Sequence, residues 1–188
     1  MKFSKTKISI IIFLLFIASP LCFAEKFLRD SSYEVCFTPG SDCASKIIQT
    51  IEMARKQILV QAYSFTDISI ANAIVSAKRK GIDVRIILDK SQLKGKYNLI
   101  HFLSKNKIKP IIDWRPAIAH NKVIIIDGLI VIGGSYNYTH SASKRNAENA
   151  IIIKDAGLAK EYVNNWHMRE QKSVAIDKLC KNLIPLPK

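Results

Sequence analysis

Two β-branched apolar runs, Val123–Ile126 and Leu129–Ile132, flank the dipeptide Asp127-Gly128, and no other feature constrains this chain as strongly. An Asp-Gly pair between such runs is a hairpin signal, because both residues accept the positive φ that a tight turn between twisted strands requires. His120 and Lys122 stand ahead of the first run, and Gly133-Gly134-Ser135-Tyr136-Asn137 follows the second. Residues two apart share one face of a strand, so His120 and Lys122 are expected to point the same way. Closing the hairpin returns the Gly-Gly-Ser-x-Asn end alongside His120. Backbone amides, a hydroxyl and a carboxamide then converge on an imidazole and an ammonium, a set suited to a phosphate.

The flanking sequence alternates strand and helix signals. Strands are expected at Tyr33–Thr38, Gln57–Ser64, Ile82–Asp89, Lys109–Asp113 and Glu148–Lys154. Between them, Ser41 or Asp42 can cap a helix running to Lys56, and Asp67 one running to Lys80 that stops at Gly81. Tyr97–Lys105 is expected to be helical, Tyr138–Asn146 polar with a helical turn, and Asp155 caps a last helix carrying Leu158, Tyr162, Trp166 and Met168. The Ile82–Asp89 run is almost continuously apolar, as in a strand covered on both faces. This order predicts a single α/β domain with a mixed, mostly covered β-sheet flanked by helices.

Charge narrows the partners. Among 188 residues, 29 Lys+Arg against 15 Asp+Glu leave a net +14. That excess favours a polyanion, either nucleic acid or an anionic membrane surface, over a merely solvated basic face. Lys2, Lys5 and Lys7 precede the apolar Ile8–Ile17, and small residues end at Ala24, so residues 1–24 read as a signal peptide. An uncleaved anchor is the competing reading, and the apolar stretch is short for a spanning helix. The mature domain is then expected at 25–175, with a loose C-terminal tail at 176–188, in the periplasm or outside the cell. Cys36 and Cys43 flank a Pro39-Gly40 turn, so a local disulfide suits that oxidising setting. Cys180 is either free or in an intermolecular bridge.

His120, Lys122, Asp127, Gly134, Ser135 and Asn137 fit H-x-K-x4-D-x6-G-S-x-N without a gap. The pattern resembles the signature of the phospholipase D superfamily of phosphodiesterases, and the chain is similar to the small secreted bacterial members along nearly all of its mature length. The Ala62–Thr66 stretch and the Asn146–Asn149 segment extend the resemblance. It implies a covalent phosphohistidine, formed when one histidine attacks phosphorus while a second protonates the leaving oxygen. Larger members carry the signature twice. Here it occurs once, because His101, His140 and His167 lack a lysine two residues later. The resemblance therefore implies a homodimer whose shared active site lies on a two-fold axis.

Chemistry assigns the roles. His120 can act as nucleophile or general acid, and Lys122 as a point charge on non-bridging phosphate oxygens. Ser135 and Asn137 offer neutral donors, while Gly134 permits close backbone approach or a tight bend. The acid matching Glu148 orients the histidine in the family. Asp127 is either catalytic or simply the turn residue. Trp114, Arg115 and His140 are candidates to border a substrate groove. No clustered carboxylates, H-E-x-x-H or Cys-His spacing suggests a metal, and the implied mechanism needs no cofactor. The favoured activity is a non-specific endonuclease acting on DNA or RNA. The alternatives are hydrolysis of phospholipids to phosphatidic acid and a free headgroup, or nucleic-acid binding without catalysis.

Overall fold

The computed structural model describes residues 25–95 and 97–182; the expected signal peptide lies outside them. The strands are β1 (Ser32–Thr38), β2 (Gln57–Ala62), β3 (Asp83–Asp89), β4 (Ile111–Asp113), β5 (Lys122–Ile126), β6 (Ile130–Gly134), β7 (Glu148–Lys154) and β8 (Val174–Ala175). They form one sheet in the order β1-β7-β6-β5-β2-β3-β4-β8. The neighbours β2–β3 and β3–β4 run parallel and the remaining pairs antiparallel, so the expected mixed sheet is present.

The helices are α1 (Cys43–Glu52), α2 (Ile68–Arg79), α3 (Ile100–Lys105), α4 (His140–Lys144), α5 (Ala156–Glu170) and α6 (Ile176–Asn182). Asp42, Asp67 and Asp155 each accept backbone N–H groups at the starts of α1, α2 and α5, the capping expected of their short carboxylates. The basic segment after β3 opens with a 3-10 turn, Lys90–Leu93, capped by Asp89.

Alternation along the central strands separates two apolar layers. Ile58, Val60, Ile86, Ile124 and Ile132 join the large core against α1 and α2. Leu59, Ile87, Val123, Ile125 and Val131 face the other way, onto Ala159 and Trp166 of α5. Strands buried on both faces read as unbroken apolar runs, which explains the two sequences that flank the hairpin. The α5 helix packs against β2, β4, β5 and β6. Beyond it, Tyr33 and Phe37 of β1 remain 77% and 61% exposed.

The C-terminus differs from expectation. The loose tail is instead partly folded: Val174 pairs with Ile112, and Leu179 of α6 is buried in the main core. The short apolar run Val174–Ile176 and the single Leu179 turn are too brief to set a strand or helix period. The Cys180 side chain and residues 183–188 lie outside the described residues. Cys36 and Cys43 form the anticipated disulfide, tying β1 to the start of α1.

Candidate active site

The hairpin sets the site. Asp127 and Gly128 hold φ of 55° and 62°, and Leu129 N–H closes the turn on Ile126 O at 2.9 Å. Ile124 faces Ile132 across β5 and β6, and two residues further this register brings Gly134 level with Lys122. The two ends of the motif therefore meet at one edge of the hairpin, as expected. His120 itself precedes β5 rather than lying in it, and its ring is exposed.

Lys122 is buried, only 8% exposed, and reaches back to His120. Its Nζ donates to His120 O at 2.8 Å and lies 3.1 Å from both ring nitrogens. Burial pushes the ammonium's pKa below the ordinary lysine value, and the negative charge of Glu148 offsets part of that shift. A desolvated cation beside an imidazole suits a developing phosphate charge, since no water need be removed when the substrate arrives.

Tyr63 completes this corner. It follows β2, whose Ala62 pairs with Lys122, and its ring lies 4.6 Å from that of His120 and 5.2 Å from Lys122 Nζ. Tyr63 falls inside the Ala62–Thr66 resemblance, yet no role was assigned to it. The missing signal was the antiparallel pairing of β2 with β5.

Ser135 and Glu148 form a second cluster. Ser135 Oγ donates to Glu148 Oε2 at 2.6 Å and accepts Asn149 N–H at 3.0 Å, and Asn146 Nδ2 donates to Glu148 Oε1 at 2.9 Å. The expected bond from Glu148 to the His120 ring is absent among the described residues. Glu148 starts β7, separated from β5 by β6, and its two oxygens are taken by nearer donors. Its influence on the site is through charge on Lys122. Asn137 Oδ1 is buried with no hydrogen-bond partner among the described residues, so that end of the amide is unspent.

Gly134 has a packing reason to be glycine. A Cβ there would lie 2.4 Å from Asn149 O and 2.8 Å from Asn149 Oδ1, and φ is 127°. Of the two roles left open for Asp127, the geometry carries the structural one. Its carboxylate accepts N–H groups of Arg55, Lys56 and Gln57, each at 2.8 Å, at the far end of β5 from His120. Burial pushes its pKa up, but those three N–H groups and the Lys56 charge outweigh burial and leave it low.

Trp114 does border a groove, with Lys90 Nζ 5.9 Å above its ring. Arg115 is exposed and does not line that groove, and His140 sits exposed at the start of α4 with no hydrogen bond to the site among the described residues. Asp89 anchors the loop that carries Trp114: its buried carboxylate accepts Ala119 N–H at 2.7 Å and Ser91 N–H at 2.8 Å. Among the described residues no group of three or more His, Cys, Asp or Glu is arranged to hold a metal.

Comparison with known proteins bears on the family and the fold. Residues 47–169 match the family described as cardiolipin synthase, PLD-like domain. A protein named phospholipase D from Rickettsia prowazekii (strain Madrid E) is 48% identical over 149 residues, covering 79% of this chain and 73% of that protein. Among solved structures, a phospholipase D family member, Nuc from Salmonella typhimurium, superposes with a TM-score of 0.75 at 31% identity, covering 78% of this chain and 98% of that one. NucT from Helicobacter pylori gives 0.72 at 26% identity, over 78% and 100% of the two chains. A chain matched by the family model across most of its described length, with His120 and Lys122 in contact, belongs to the phospholipase D superfamily of phosphodiesterases.

Proposed function

We propose that this chain is an exported, metal-independent phosphodiesterase that works as a homodimer through a phosphohistidine. The observation that carries the reading is the contact of the His120 ring with the buried Lys122 ammonium. Lys122 holds the non-bridging oxygens, and one His120 attacks phosphorus. The bond from phosphorus to the leaving oxygen breaks as the His120 of the second copy protonates that oxygen. The second His120, now neutral, takes a proton from water. The resulting hydroxide displaces the phosphohistidine and restores both rings.

Two features support the dimer. One chain supplies one such histidine where the chemistry uses two. The outer face of β1 and β7 also presents an uncovered apolar surface, where Phe27, Leu28, Tyr33, Ile151 and Ile153 line a cavity of about 400 Å³. That surface continues through Asn149 to Ser135 and Glu148. The Cys36–Cys43 disulfide supports an oxidising compartment, periplasmic or extracellular.

Two substrate classes fit. Nucleic acid is supported by the net +14 charge. Phospholipid is supported by the mainly apolar lining of the groove beside Tyr63 and His120, and it is the reading we adopt because charge alone describes a surface and not a site. Purified protein, with EDTA present, should release headgroup from phosphatidylcholine vesicles and leave plasmid DNA intact, and His120→Ala should abolish the release. Degraded plasmid with intact lipid would reverse the assignment. Retarded but uncut DNA with intact lipid would favour binding without catalysis.

A further inference from the structure

The crevice beyond the catalytic corner has a chemistry of its own. It lies at the carboxyl ends of β2, β3 and β4, the place where open α/β sheets receive ligands. Its volume is about 730 Å³, and Tyr63 forms the wall it shares with His120. Leu93, Trp114, Ile118 and Leu179 supply most of its apolar wall, with Lys90 and Lys94 beside them. Asp89, also in the lining, is turned to Ala119 and Ser91 and presents no unmet demand for a polar ligand. Trp114 and Ile118 are 39% and 56% exposed, so large apolar side chains stand in water beside a pair of lysines.

We propose that this groove holds one acyl chain of a phospholipid whose phosphodiester lies between His120 and Lys122; the inference rests on the phosphodiesterase reading and names the part of the substrate that the groove takes. The lining selects this occupant. Aliphatic walls at Leu93, Ile118 and Leu179 would strip water from the polar edges of a nucleobase and return no hydrogen bonds. Tyr63 and Trp114 are the aromatic rings of the lining, and Tyr63 is packed on His120 while Trp114 carries Lys90 over its ring, so the remaining area is aliphatic and an acyl chain asks only for such area. Charge is compatible with an anionic headgroup: Lys94 is exposed, and Lys90, which also lines the groove, donates to Pro116 O at 2.9 Å. Trp114 and Ile118 at the mouth then sit at the boundary between headgroups and chains, where an apolar body with cationic neighbours is stable.

The test uses monomeric phosphatidylcholines with hexanoyl, heptanoyl and octanoyl chains, and bis(p-nitrophenyl) phosphate as a diester without an acyl chain. Burying one chain predicts that KM falls about four-fold with each added methylene. Ile118→Asp should flatten that dependence and lower the ratio of octanoyl to aryl-diester turnover at least ten-fold. A KM independent of chain length, or an equal effect of Ile118→Asp on both substrates, overturns the groove while leaving the phosphodiesterase reading intact. Should neither diester be cleaved, that reading fails by itself. The groove is still measured by titrating the same lipids into His120→Ala protein and following Trp114 emission. With the buried Trp166 as a constant background, a chain-length-dependent blue shift that Trp114→Phe removes supports the groove, and no shift, or one produced by an oligonucleotide in place of lipid, overturns it.

Discussion

Lys122 Nζ stands 3.1 Å from both ring nitrogens of His120 and 2.8 Å from the carbonyl oxygen of the same residue. The lysine thus holds the strand entry that presents the imidazole, and it does so from a desolvated position. An arriving phosphodiester can take over ammonium donors that already point at the ring.

Replacing that lysine separates stability from activity. Burial lowers the Lys122 pKa in the folded protein, so the unfolded chain binds more protons between the folded and unfolded values. Stability attributable to this group therefore rises with pH across that interval, and below it the buried charge counts fully against the fold. Lys122→Met is expected to cut turnover about a hundred- to a thousand-fold, the usual effect of removing one charge-stabilising donor. Its Tm at neutral pH should equal or exceed that of the wild type. Calorimetry from neutral to alkaline pH checks the sign: wild-type protein gains relative stability through the lysine titration and the variant does not.

At the other end of the same strand, Asp127 should behave in the opposite way. Its pKa is low in the fold, so its contribution is present above the unfolded carboxylate value and lost as pH falls through the folded one. Asp127→Asn keeps one acceptor for the N–H groups of Arg55, Lys56 and Gln57 but loses the charge. The expected cost is about 1 kcal/mol at neutral pH after allowance for solvent screening. Denaturant titration should show the gap from wild type closing in acid, with turnover per folded molecule retained. A hundred-fold loss of turnover would return Asp127 to the chemistry.

How legible the fold was depends on the distance over which its signals act. The Asp127-Gly128 turn and the caps at Asp42, Asp67 and Asp155 are local, and each residue type stands where its turn or helix start requires it. The site was legible to the extent that the hairpin built it. Tyr63 went unassigned because its place beside His120 follows from strand pairing across about sixty residues, which no periodicity encodes. Within one chain Glu148 meets partners that the sequence does not announce, for a similar reason. Its nearer donors, Ser135 and Asn146, are set by the register of β6 against β7 and by the chain just before β7. Leu179 buries a helix that its polar neighbours concealed.

Gly134 tests the register of β6 on β7. Alanine there would place Cβ 2.4 Å from a backbone oxygen and 3.1 Å from Ala150 Cα, at φ of 127°. Gly134→Ala is expected to cost about 2 kcal/mol or more through backbone strain. It should also displace Asn149, and with it the Ser135 hydroxyl that Glu148 holds. Turnover per folded molecule should therefore fall at least ten-fold, whereas Gly128→Ala, whose Cβ meets nothing within 4 Å, should lower stability and leave turnover nearly unchanged. Equal effects of the two variants on turnover would dissociate the Ser135 cluster from the reaction.

The proposed shared site makes a prediction that no single-chain enzyme satisfies. If attack and proton transfer use the two His120 rings of a dimer, a pair with one wild-type and one His120→Ala subunit lacks one of the two groups and is inactive. Subunits mixed, unfolded and refolded together should then give activity that follows the square of the wild-type fraction. Independent sites would give a straight line. The interface can be probed in parallel at Val35, whose side chain shares the outer face of β1 with Tyr33 and Phe37 and is 37% exposed. Val35→Lys leaves the core face of the strand untouched and sets a charge in the apolar surface, so light scattering should report a monomer and turnover should fall with it. A monomer that retains full turnover, or a linear mixing curve, would place the whole reaction within one chain and require a proton donor other than the second His120.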